Sequence, residues 1–353
     1  MTTINENINK SRTLPSEFYT NDNIFIKTKS LFEDSVQLVC SVSELTELSV
    51  YPFEYFPGFL NEFLIITNQN SKFTCMPNVC THRGHLLASC SSNNSLLQCG
   101  YHGRTFILGG ELKNAPGFEK AENFPHESDH LDRIPVFKWN TFLFVSLNRN
   151  VISIDKLAQI DRILPDFPYL ELKAPVRQDY LIDCHWTLYC DNYLEGFHIP
   201  YVHKGLNSDI DWKKYSTDIL DEIVLQKAMT SDATDSILYS TEENVYAYYF
   251  FIFPNIMINY YKWGVSINII EPISKEKTRV KYIVFCLKDE KIPKDNPSSL
   301  SIVESEAQAV VLSVQKGVKS RYYRSGRFAP NLEQGVHYFH SLLNSKVLDE
   351  LNE

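Results

Sequence analysis

Cys80 and His82, followed after sixteen intervening residues by Cys99 and His102, are the side chains of this chain best suited to hold a metal. The two short pairs read C-T-H and C-G-Y-H, so each supplies one sulfur and one imidazole. Zinc signatures usually group Cys with Cys and His with His. A [2Fe–2S] centre in which two His replace two Cys on one iron needs the mixed set found here, with each loop giving a Cys to one iron and a His to the other. A structural zinc site, or four unrelated residues, is the alternative.

A second constellation lies in D-N-Y-L-E-G-F-H-I-P-Y-V-H, where Asn192, Glu195, His198 and His203 stand together. Glu195 and His198, three apart, share one helix face, and the five-residue step to His203 overshoots it. Pro200 disfavours a regular helix at Ile199 and lets the chain bend, so the second imidazole can still return to the first. Two imidazoles and a carboxylate on one face of an ion form the facial triad of non-heme Fe(II) oxygenases, with open positions for O₂ and substrate. A pair of ordinary surface or core histidines is the alternative.

The segments NVCTHRGHLLASC and LQCGYHGRTF resemble the Rieske domain of ring-hydroxylating and related oxygenases, and the whole chain resembles the α subunit of Rieske non-heme iron oxygenases. CDNYLEGFHIPYVHKGL, FIFPNIMINYY and SVQKGVKSRYYRSGRF are similar to the choline monooxygenase and carnitine oxygenase branch. The resemblance implies a Rieske cluster on Cys80, His82, Cys99 and His102 and a mononuclear non-heme Fe(II) on His198 and His203. It also implies a homotrimer in which electrons pass to a neighbouring iron through a bridging carboxylate, here Glu195. Arg104 stands where the family usually has Trp; it is not a ligand, so the change bears on packing and not on cluster assembly.

The third iron ligand departs from the family pattern. An Asp is expected eight residues before the Gln of V-Q-x-G, and eight before Gln315 stands Ala307. Glu306 is adjacent, about 100° round the helix, and is the expected replacement; Glu304 lies nearly a turn earlier. If neither binds, two His and a vacant position remain. The chain then reads instead as an electron-transfer subunit for a catalytic partner, with about two irons where an oxygenase has about three.

Aromatic residues are the guide to substrate. Tyr193, Phe197 and Tyr201 accompany the ligand segment. Tyr249, Phe251 and Phe253 alternate on a strand expected to face the cavity with Tyr260, while Tyr246, Tyr248 and Phe250 point away. An aromatic box attracts quaternary ammonium groups, in line with the resemblance; core packing of these rings is the alternative, and an uncharged aromatic or natural-product substrate stays open. The expected reaction is hydroxylation or oxidative N-dealkylation by O₂, with monooxygenation favoured over dioxygenation. No Gly-rich nucleotide motif is present, so a separate NAD(P)H-dependent reductase is the expected electron source.

These sites require a scaffold. At 353 residues the chain reads most naturally as two domains or one large one, since single cores stop growing near ~250 to 300 residues. Residues 1–45 read as an N-terminal arm of the catalytic part, 46–155 as a β-rich Rieske domain with short strands and turn signals, and 156–353 as an α+β catalytic domain with an antiparallel β-sheet flanked by helices. A helix is expected over 299–317, where Val303, Ala307, Val310, Val311 and Val314 recur at helical spacing.

A net charge of −9 argues against nucleic acid and anionic membrane as main partners. VYAYYFFIF is too short to span a bilayer. The start MTTINENINKSRTLPSEF lacks signal-peptide regions, so a cytoplasmic, reducing setting is expected and the eight cysteines are not read as a disulfide framework. Cys75 and Cys90 flank the cluster as free thiols or a supporting bridge. Arg321, Arg324 and Arg327 suggest a subunit or reductase contact, or a solvated face. His85, His126, His130, His185, His337 and His340 are read as structural.

Overall fold

The computed structural model describes residues 4–151, 153–230, 232–291 and 300–348. It is α+β and divides into two compact units, residues 32–154 and residues 1–31 with 155–353. No described helix is long and apolar enough to cross a membrane.

The 32–154 unit is built from three three-stranded antiparallel sheets. Val50–Tyr55, Glu62–Gln69 and Lys72–Pro77 form one, and Leu96–Gln98, Thr105–Ile107 and Leu112–Asn114 another. Val50, Ile65, Met76, Leu97, Phe106 and Leu108 make a core that also takes in Cys80 and Cys99. The third sheet pairs Gln37–Ser41 with Phe142–Val145, so the N-terminal arm, read from sequence as running to residue 45, ends at 31 in the structure. The long-range pairing that recruits this five-residue strand leaves no local signal.

The other unit carries a seven-stranded antiparallel sheet. Six strands run as a meander from Ser216–Leu220 to Lys277–Cys286, and Val176–Ile182 closes the far edge beside the last of them. The helices Trp186–Tyr193 and Leu300–Val318 pack on one another, and the first also packs on the Gly264–Ser274 strand. The register sets the faces: Tyr248 pairs with Tyr260 and Tyr249 with Asn259, so Tyr260 shares a face with Tyr248 and Phe250. The expectation that Tyr260 lines the cavity is therefore corrected. It is fully buried on the opposite face, bonded to the Tyr169 hydroxyl at 2.7 Å and packed on Phe167 and Phe250.

The arm is tied to the C-terminal part of its unit. The Leu14 N–H donates to Nδ1 of His340 (3.1 Å), the Ser16 N–H to the Arg324 carbonyl (2.8 Å) and the Thr13 N–H to the Gly326 carbonyl (3.3 Å). Arg327 donates to the Asn9 carbonyl, so part of the Arg321–Arg327 segment is spent on this seam.

Candidate metal centres and catalytic pocket

The two Cys/His loops are near copies of one turn. In the first, the Cys80 N–H donates to the His85 carbonyl and the Gly84 N–H to the Cys80 carbonyl (2.9 and 3.0 Å). In the second, the Cys99 N–H donates to the Arg104 carbonyl and the Gly103 N–H to the Cys99 carbonyl (2.7 and 3.1 Å). Gly84 and Gly103 have φ of 72° and 74°, a left-handed conformation that a side chain would resist, and it turns each chain back after its His. The result puts both cysteines in the apolar core and both histidines at the loop tips, with ring centroids 4.7 Å apart. Burial raises the Cys80 thiol pKa, while the Arg104 guanidinium pulls it down. Inner sulfurs and outer imidazoles form a donor set that fits a two-iron cluster. All eight cysteines are free, Cys75 buried and Cys90 exposed, so no bridge supports the loop.

The second candidate site starts from the Trp186–Tyr193 helix, whose first turn is capped by Nδ1 of His185 accepting from the Thr187 N–H. Past its end, Gly196 is required by contact: a Cβ there would lie 2.6 Å from the Tyr215 ring. Glu195 then grips His198 with both oxygens, Oε1 at 2.6 Å from Nδ1 and Oε2 accepting the backbone N–H at 3.0 Å. One turn, Ile199–Val202 with Pro200 near its start, carries the chain to His203. The His198 and His203 rings lie 4.9 Å apart at 74°. Burial lowers the His203 pKa, and Glu306 opposes this. The Glu306 Oε2 lies 2.8 Å from the His203 Nδ1.

Each imidazole thus presents Nδ1 to a carboxylate. An Nδ1–H donated there fixes the tautomer that leaves the Nε2 lone pair for a metal, a common arrangement behind metal-bound histidine. Two imidazoles so prepared fit a Fe(II) site. A third donor is less well provided: among the described residues no three His, Cys, Asp or Glu side chains converge on one ion. Glu306 is engaged with His203 and lies outside the pocket lining, whereas Ala307 and Glu304 line it. Glu304 is buried, accepts from the Tyr189 hydroxyl (2.6 Å) and Gln308 Nε2 (2.9 Å), and has its pKa raised by desolvation.

The pocket has a volume of about 330 Å³ and is bounded by Asn192, Glu195, His198 and His203 on the helical side. Tyr193 of the same helix, with Tyr215, Tyr249, Tyr261, Tyr282 and Trp263, gives the lining an aromatic band. Of the aromatic residues expected to meet substrate, Tyr193 and Tyr249 take part. Phe251 shares Tyr249's face but lies further along the strand, packed on Phe339 at 5.3 Å, and Phe253 joins it at 6.0 Å. Phe197 and Tyr201 point outward, 37 % and 74 % exposed, and neither lines the cavity. Tyr246, expected to point away, lines the pocket: a pairing irregularity between Ala228 and Met229 opposes that end of its strand.

Sequence reading passed over the polar floor. Asn259, Ser266 and Asn268 line the pocket from strands that are mostly apolar. Asn259 Nδ2 donates to Ser266 Oγ (3.0 Å) and Asn268 Oδ1 (3.3 Å), and its Oδ1 accepts the Tyr193 hydroxyl (2.6 Å). Gln226 Nε2 donates to the Tyr193 carbonyl (2.6 Å). Buried polar groups need partners, so polar residues recurring in apolar strands were the available signal.

Residues 169–349 match the family model for the ring hydroxylating alpha subunit (catalytic domain), and residues 35–125 the model for the Rieske [2Fe-2S] domain. The chloroplastic choline monooxygenase of Arabidopsis thaliana is 29% identical over 365 residues, spanning 96% of this chain and 84% of that protein. The carnitine monooxygenase oxygenase subunit of Escherichia coli (strain K12) is 27% identical over 350 residues, spanning 94% and 92%. Among solved structures, a quaternary ammonium Rieske monooxygenase matches with a TM-score of 0.83 at 23% identity over 98% of this chain and 99% of that one. Naphthalene 1,2-dioxygenase with indole bound matches at 0.71 and 15% identity, over 98% and 95%. At these identities the structural likeness is one of fold.

Proposed function

This chain belongs to the ring-hydroxylating α-subunit family, with a Rieske [2Fe–2S] cluster and a mononuclear non-heme iron, and on that premise we propose that it is a monooxygenase for a quaternary ammonium substrate. When bound, the two groups supply stored electrons and O₂ activation. The tyrosine-rich cavity beside His198 and His203 is the observation that carries the substrate reading. Aromatic faces attract a cation that cannot donate a hydrogen bond, and the low-dielectric wall strengthens that attraction. Buried Glu304, when ionised, adds a negative charge in the same space.

In this reading Cys80, His82, Cys99 and His102 hold the cluster, and His198 and His203 hold the iron. Glu195 keeps His198 in the metal-binding tautomer and joins the two centres across a trimer, where it meets His102 of a neighbouring copy. Exposure of His102 at its loop tip supports that role. Glu306 acts through His203 and not as a direct ligand. A separate NAD(P)H-dependent reductase supplies electrons, and the reaction is hydroxylation or oxidative N-dealkylation of the substrate; relatives named as choline and carnitine monooxygenases support monooxygenation.

The test is turnover of the reconstituted protein with such a reductase, comparing trimethylammonium compounds with their uncharged tert-butyl isosteres. Product carrying one added oxygen, or the dealkylated amine, is expected from the cations. Equal turnover of the isosteres would overturn the substrate assignment. Ala307 in the pocket wall favours a second reading, an electron-transfer subunit without a working iron site; about two irons per chain instead of about three would establish it.

A further inference from the structure

Arg104 is 3% exposed and lies against both ligand loops. Its backbone carbonyl closes the second loop by accepting from the Cys99 N–H (2.7 Å). Its Nη1 donates to Thr81 Oγ1 (2.8 Å), and Thr81 stands between Cys80 and His82 in the first loop. The guanidinium carbon sits 4.6 Å from the centre of the Phe118 ring, and that ring packs edge-on against His82 at 5.1 Å. Asp129 is its counter-ion, 3.3 Å from Nη2, with a side chain 19% exposed against 4% for Arg104. The Arg104 Nε is buried and finds no acceptor among the described residues.

A guanidinium stays charged at any working pH. Burying it costs free energy unless it is paired and bonded, and here one counter-ion on the wetter side and one hydroxyl are its protein partners. Phe118 and Phe124 cover the remainder of the group and keep water off it. The positive charge therefore faces the ligand loops with weak screening. Each reduction adds one electron, and so one negative charge, to a cluster held there. A fixed cation close by stabilises the reduced form over the oxidised form, and a buried N–H is a donor suited to cluster sulfur; charge and hydrogen bonds to sulfur are recognised determinants of such potentials.

We propose that Arg104 sets the reduction potential of the Rieske cluster, raising it by placing a buried guanidinium between the two ligand loops, with Asp129 moderating the effect. The proposal rests on the assignment of Cys80, His82, Cys99 and His102 as cluster ligands. Arg104 is a tuning residue that acts through its buried charge and ligates no iron.

The experiment is a redox titration of the purified holoprotein with dithionite and mediators, followed by EPR. Wild type, Arg104→Met, Arg104→Lys and Asp129→Asn are compared. Arg104→Met is expected to shift the reduction equilibrium about tenfold toward the oxidised form, which for a one-electron couple is about 59 mV downward. Arg104→Lys should fall between it and wild type, and Asp129→Asn should shift upward because it unmasks the guanidinium. A role confined to holding the loops predicts that loss of either partner moves the potential the same way. That result, or potentials indistinguishable from wild type, overturns the proposal. If Arg104→Met fails to assemble a cluster, the opposite signs of the Lys and Asn variants still decide it. The ligand assignment is read separately: Cys80→Ser should abolish the cluster's EPR signal, and a signal that survives would sink the assignment and not the tuning argument alone.

Discussion

Glu306 and His203 are joined through a 2.8 Å contact between the carboxylate Oε2 and the imidazole Nδ1, while Ala307, the next residue on the same helix, faces the pocket. A helix turns its side chains by about 100° per residue, so neighbours divide between buttressing the His203 imidazole and lining the cavity. Glu306→Gln should weaken retention of mononuclear iron by about 10- to 100-fold, the usual cost of losing such a buttress. Chelator competition measures it, with cluster content unchanged. Iron retention equal to wild type would show that His203 needs no carboxylate behind it.

Ala307→Asp places a short carboxylate on the pocket wall that already holds His198 and His203. An anionic oxygen ligand suits Fe(II), so iron affinity should rise by about tenfold and the site should fill at lower metal concentration. If Ala307→Asp left affinity unchanged, the position would lie beyond reach of the ion.

His198→Ala removes one of the two imidazoles. Turnover should fall to background and mononuclear iron should be lost, while the visible absorbance of the cluster persists, because its proposed ligands lie in the other unit. Loss of both signals together would contradict two separate sites.

His185 supplies a pH prediction away from the metals. Its ring is fully buried among Phe18, Tyr19 and Phe25, and burial, with Lys275 nearby, pulls its pKa down to about 3. An unfolded histidine titrates near 6.5, so between these values the unfolded chain binds the extra proton. The neutral ring's contribution to stability is therefore fully present above about pH 6.5. It falls by roughly 1 kcal/mol per pH unit as the pH drops toward 3. His185→Asn retains an acceptor for the Thr187 N–H and removes the titration, so its urea midpoints should decline less steeply between pH 6.5 and 4. Parallel slopes would exclude His185 as the source.

Chemistry that depends on local spacing was legible in the residues alone. C-T-H and C-G-Y-H fold as matched turns because each carries a Gly four residues after its Cys, and E-x-x-H closes on itself within one turn; these contacts need no distant partner. Mixed Cys and His pairing was enough to point to a Rieske cluster, and the fold class followed from strand and helix patterns. Sheet register and helix rotation settled the rest. Tyr260 left the cavity because it pairs with Tyr248, and Asn259 entered it because it pairs with Tyr249. Glu306 turned to His203 from over a hundred residues away, and Arg104 became a buried cation between two loops. A residue's face in a sheet follows from which strand it meets, and a charge's effect from how much water remains around it. Both are settled by long-range packing.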